Sequence, residues 1–88
     1  MSGVAEAIHA RLATLHPSRI ELLDESGAHV GHEGARSGGG HYRLTIVSPE
    51  FKGMTTLSRH RLVYGALGPL MHREIHALAI SALSPDEI

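Results

Sequence analysis

Apolar and polar positions change period several times along this chain, and each change marks an element. Val4, Ala5, Ile8, Leu12 and Leu15 recur at helical spacing, with Glu6, His9, Arg11 and Thr14 between them. That spacing predicts an amphipathic helix over residues 3–15 within an N-terminal segment 1–15. Ser2 is placed to cap it, and Pro17 ends it because the residue before a proline is pushed out of the helical region. Arg19–Asp24, RIELLD, reads as a short strand with Ile20 and Leu22 on one face and Glu21 and Leu23 on the other. From Glu25 to Gly40 no apolar period survives, and six of the ten glycines fall there, which predicts a long flexible loop carrying His29 and His32.

His41–Ser48 alternates again, with Tyr42, Leu44 and Ile46 on one side, and should pair with the first strand as a long-looped hairpin. In the following stretch, SPEFKGMTTLSRHRLVYGAL, Pro49 stops ladder donation and Gly53 permits a turn that other residues resist. Thr55 or Thr56 then caps a helix whose apolar positions are Leu57, Leu62, Val63, Ala66 and Leu67, with Leu70 beyond. Phe51, the single Phe of a chain without Trp, is expected to be buried beneath that helix. Gly68 and Pro69 break it.

Ile75–Leu83, IHALAISAL, is apolar enough to be expected as the best-buried strand, and a strand–helix–strand crossover should make it parallel to the second strand. Ser84–Glu87 is a capping box that starts a last helix over 84–88. The predicted order is α-β-β-α-β-α: an α+β fold in which helices cover one face of a three-stranded mixed sheet.

At 88 residues the chain has material for one small core, so residues 1–88 are read as a single domain. A net charge of −1 supplies none of the broad positive field on which nucleic-acid binding relies. No apolar run approaches the ~20 residues needed to span a bilayer, and the N-terminus lacks the layout of a signal peptide. The expectation is a soluble, cytoplasmic protein with no membrane partner. Cysteine is absent and histidine occurs eight times, so a metal site made by this chain alone must use imidazole and carboxylate. Any thiolate at a shared site must come from another molecule.

Within the apolar strand, His76 stands between Ile75 and Ala77 and needs a reason to be there. It is either a core histidine satisfied by a backbone carbonyl or a metal ligand held rigidly near a strand end. In the latter case His29 or His32 would supply a second imidazole from the loop. Arg59, His60 and Arg61 form either a solvated helix face or, with Lys52, a phosphate-binding one. No nucleophile–base pairing, zinc-protease spacing or P-loop spacing is present, so no enzyme activity is expected.

Asp24–Ser26 (DES), His41–Tyr42 (HY), Val47–Gly53 (VSPEFKG), Arg59–Tyr64 (RHRLVY) and Ile75–Ile80 (IHALAI) together resemble the BolA family, in the family's order and over about Leu15 to Pro85. The resemblance implies an αββαβ core similar to class II KH domains. It also implies an adaptor that pairs with a monothiol glutaredoxin and its bound glutathione to share a 2Fe-2S cluster, in cluster assembly, trafficking or iron regulation. His76 would be the C-terminal ligand of this side. The second would lie in the loop, where the spacing from Asp24–Ser26 favours His29 and leaves His32 as the alternative. The extra loop residues Gly31–Gly40 depart from the more compact family loop. Alone, the chain should be a monomer or weak homodimer and hold no cluster. The family is also described as transcriptional regulators with DNA-binding capacity, a role that Lys52, Arg59 and Arg61 would carry.

Overall fold

A computed structural model describes residues 3–25 and 40–88. Its main elements are α1 (Val4–Leu12), β1 (Arg19–Asp24), β2 (Gly40–Val47), α2 (Thr56–Leu67) and β3 (Ile75–Leu83), with 3-10 turns at Ala13–Leu15, Pro49–Phe51, Gly68–His72 and Pro85–Glu87. The sheet order is β1-β2-β3. β1 runs antiparallel to β2, from Arg19↔Val47 to Asp24↔Tyr42, and β3 runs parallel to β2. The mixed sheet expected from the crossover argument is therefore present.

One sheet face carries Ile20 and Leu22, then Tyr42, Leu44 and Ile46, then Leu78, Ile80 and Ala82. The helical layer meets it with Ile8, Leu12 and Leu15 from the α1 segment and Val63 and Leu67 from α2, and Phe51 is fully enclosed beneath them. The other face is largely open, with Glu21, Leu23, Arg43, Ala77, Ala79 and Ser81 exposed. Ser48 joins the layers: its buried hydroxyl donates to the Leu15 carbonyl and accepts from the Glu50 N–H, while its own N–H bonds to Leu83 O at 2.9 Å.

Four expectations are corrected. β3 is not the best-buried strand; as an edge strand it buries only Ile75 and Ala82, and β2, paired on both sides, holds that place. The error lies in counting alanine as core material, because Ala77 and Ala79 alternate onto the open face. α1 ends at Leu12 and tightens into a 3-10 turn, with Gly3 at its N-cap, while Ser2 lies outside the described residues. Leu57 is 61% exposed, because the buried stripe of α2 runs Arg59–Val63–Leu67 and a residue two positions earlier falls on the opposite side. The predicted last helix is a single 3-10 turn.

The caps of the central helix and C-terminal turn form as expected. The Thr55 hydroxyl accepts from the Ser58 N–H at 3.1 Å, and the Glu87 carboxylate accepts from the Ser84 N–H at 2.8 Å. Gly53 adopts φ +79 and Gly68 φ +57, left-handed values that a side chain would oppose.

Candidate functional site

The site begins with a fault in the ladder between β2 and β3. Gly40 pairs with Ile75, yet His41 pairs with Ala77, so His76 is an extra residue on β3. Such a bulge breaks the alternation of side chains and re-aims one of them. Counting back from Leu78 on the core face, an unbroken strand would place His76 in the core and Ile75 in solvent. The bulge reverses both: Ile75 is 3% exposed and His76 lies on the open side. His76 is thus not a core histidine satisfied by a carbonyl. It is an exposed imidazole at a bulge in a paired strand.

Its neighbour is His41, at the start of the central strand, with ring centroids 5.1 Å apart and ring planes tilted by 43°. The backbone beneath the pair is well anchored. Gly40 N–H donates to Glu74 O at 2.8 Å and Glu25 N–H to His41 O at 2.7 Å. Gly40 also lies against the ring of Tyr42, where an added Cβ would come within 2.5 Å of the ring edge. Burial, and then the nearby Asp24 carboxylate, raise the Tyr42 hydroxyl above its ordinary pKa. On the open face beyond, Arg43 Nε donates to Glu25 at 3.2 Å, which places a carboxylate beside that cation.

The expected loop ligands His29 and His32 lie outside the described residues. Among the described residues, no group of three or more His, Cys, Asp or Glu side chains could hold a metal ion. His41 and His76 are neighbouring imidazoles with ring centroids 5.1 Å apart. The sequence reading missed His41 as a site residue. Its signal was the phase slip in IHALAI, where Ile75 is out of step with Leu78 and Ile80 and so requires a bulge facing the start of β2.

The basic run does not form one open face. Arg59 is 8% exposed, and its guanidinium donates from Nε to Met54 O at 3.0 Å and from Nη1 to Ala82 O at 2.9 Å. It also forms a two-pronged ion pair with Glu87, at 2.6 and 2.8 Å. That pairing raises the Arg59 pKa and holds the Glu87 carboxyl down at about 2. Asp86 is lowered as well, first by its hydrogen bond from the Ser84 hydroxyl. Lys52 and Arg61 are exposed and His60 is half-buried. A nucleic-acid surface here would thus draw on Lys52, in the turn before α2, and Arg61, on α2, with Arg59 held in the fold. No helix among the described residues is long and apolar enough to cross a membrane.

Comparisons with known proteins place the chain in a family. A family model described as BolA-like protein matches residues 12–87. BolA-like protein 1 of Bos taurus is 39% identical over 89 residues, an alignment covering 96% of this chain and 64% of that protein, so the chain spans less than two thirds of that relative. UV-induced protein uvi31 of Schizosaccharomyces pombe is 42% identical over 92 residues, covering 98% of this chain and 90% of that protein. Among solved structures, the BolA domain of SufE1 from Arabidopsis thaliana matches with a TM-score of 0.85 at 35% identity, covering 100% of this chain and 99% of that one. With a family model over most of its length and near-complete matches in sequence and in structure, the chain belongs to the BolA-like protein family.

Proposed function

We propose that this chain is a non-enzymatic adaptor that pairs with a monothiol glutaredoxin and glutathione and shares a 2Fe-2S cluster with them, in cluster assembly, trafficking or iron regulation. The observation that carries the reading is the bulge that turns His76 out of the core and onto an open, rigid sheet face. A bulge that serves packing alone has no need to present an imidazole, and neutral imidazole is a good ligand for iron. Family membership supports a monothiol glutaredoxin as the class of partner. The donor set fits the division of labour: without cysteine this chain offers nitrogen, and the thiolates come from the glutaredoxin and from glutathione. The second imidazole expected from this side is His29, with His32 as its alternative.

Imidazole in place of thiolate removes negative charge from a cluster and raises its potential, as in Rieske centres. His76, fixed by the ladder on either side of the bulge, would need little rearrangement to bind. The test is to mix the protein with a cluster-loaded monothiol glutaredoxin and glutathione and to record the visible spectrum. His76→Ala should alter or abolish the shared-cluster spectrum while the fold persists. A wild-type spectrum from His76→Ala would overturn the proposal.

A further inference from the structure

We infer that the outer edge of β3 is a self-association surface, on which a second copy of this chain pairs antiparallel about a two-fold axis at Ala79. Among the described residues, β3 is hydrogen-bonded along its length to β2 alone. The main-chain groups of successive residues in such a strand alternate between its two sides. Leu83 O accepts from Ser48 N–H at 2.9 Å on the β2 side, and Ala82 O accepts from Arg59 Nη1 at 2.9 Å on the outer side. The same alternation turns the N–H and C=O of Leu78 and of Ile80 outward.

A long edge strand without charges or proline is a template for another strand. β3 runs nine residues with no Asp, Glu, Lys, Arg or Pro. Two features blunt it near its ends: the bulge at His76 and the Arg59 guanidinium on Ala82 O. Between them lies the stretch from Leu78 to Ile80. Pairing Leu78 of one copy with Ile80 of the other, and the reverse, satisfies every outward group of that stretch, with Ala79 facing itself across the axis. The register centred on Ile80 would instead set Leu78 against Ala82, whose carbonyl is already taken. The Leu78 and Ile80 side chains are half-buried at the rim of the core, and self-pairing brings them against their counterparts. The flanking charges favour a second copy as the occupant. Exposed Arg73 precedes β3 and exposed Asp86 follows it, so antiparallel pairing carries each toward the other's counterpart. Glu74, half-buried, lines a cleft with Gly3, Val4, Ala7 and Leu70. A contact of this small size gives a weak, concentration-dependent dimer.

The test compares micromolar with millimolar solutions of the full chain by sedimentation equilibrium and NMR. Wild type should dimerise over that range, with amide exchange slowed at Leu78 and Ile80. Ala79 is exposed on the open face, and across the axis its Cα should lie about 4.5 Å from its counterpart. Ala79→Lys and Ala79→Glu should therefore each weaken self-association about fivefold, and an equimolar mixture of the two should return to within about twofold of wild type. In dilute solution both variants should keep the wild-type amide spectrum away from residues 78–80, which separates lost pairing from a lost fold. A wild-type monomer at millimolar concentration overturns the inference. So does a dimer whose Leu78 and Ile80 amides exchange as in the monomer, one that neither charge variant weakens, or a mixture that fails to restore it. Should wild type stay monomeric while a monothiol glutaredoxin protects those amides, the edge belongs to that partner and the inference fails.

Discussion

β3 carries a polar cluster near each of its ends, and the two are built on opposite plans. At the C-terminal end, Arg59 is enclosed between α2 and the last turn, with its donors on Met54 O, Ala82 O and the Glu87 carboxylate. At the N-terminal end, His76 stands on the open face beside His41. Burial with full pairing commits a charge to the fold, whereas exposure on a rigid ladder leaves an imidazole able to bind something else. The difference sorts two residues that look alike in the sequence, a histidine in an apolar run and an arginine in a basic one. It assigns them the reverse of the roles their neighbours suggest.

Substitution of Arg59 should break the enclosed cluster outright and have the largest effect on stability. Arg59→Ala leaves two carbonyls and a carboxylate without their donor, and loss of one partner from an enclosed pair costs more than the pair contributed. Thermal denaturation should show a markedly lower midpoint for Arg59→Ala than for Lys52→Ala or Arg61→Ala. Those two exposed substitutions should each fall within about 0.5 kcal/mol of wild type. Equal midpoints for all three would mean that the enclosed pairing contributes nothing and that the contrast between the two ends is false.

Gly40→Ala attacks the foundation of the open cluster. The added methyl would meet the Tyr42 ring at 2.5 Å, and its displacement should cost about 1–3 kcal/mol. Chemical denaturation measures that loss, and amide shifts should concentrate at residues 40–42 and 75–77. A smaller effect is expected for Glu87→Gln, and it depends on pH. The Glu87 carboxyl is held at about 2 in the fold against an ordinary 4.5. Its ionised form is therefore favoured by folding, and that contribution is fully present above pH 4.5 and is lost as pH falls toward 2. Glu87→Gln should lower stability at neutral pH and flatten the acid limb of the stability curve over that window. An acid limb of unchanged slope would remove Glu87 as its source.

Much of the fold was legible in the sequence because period and chemistry agreed. β1 and β3 occupy the predicted residues, β2 begins one residue early at Gly40, and Thr55 and Glu87 cap as their positions implied. The site was legible only in part. His76 was singled out, but its direction depended on a two-against-one count between strands that are far apart in the chain, and alternation within β3 alone points it inward. His41 was passed over for the same reason: at the head of a well-patterned strand it looks like an ordinary outward residue until its partner across the bulge is known. Arg59 was misread because side-chain type cannot show that a carboxylate 28 positions later folds back onto it.

Deletion of His76 is the sharpest probe of the open cluster and should have only a small effect on stability. Removing one residue from the bulge turns the register Gly40↔Ile75, His41↔Ala77 into an uninterrupted ladder. Ile75 then keeps its place in the core, Ala77 keeps its place on the open face, and every later pair down to Val47↔Leu83 is untouched. Ordinarily, losing a residue inside a strand inverts all the side chains on one side of it. Here the deletion removes the inversion. The variant should therefore fold with a stability within about 1 kcal/mol of wild type. It should also show Ile75 protected from solvent and alter the shared-cluster spectrum as His76→Ala does. If the deletion unfolds the protein, the bulge itself is required by packing, and the open end of β3 resembles the closed one more than the exposed His76 suggests.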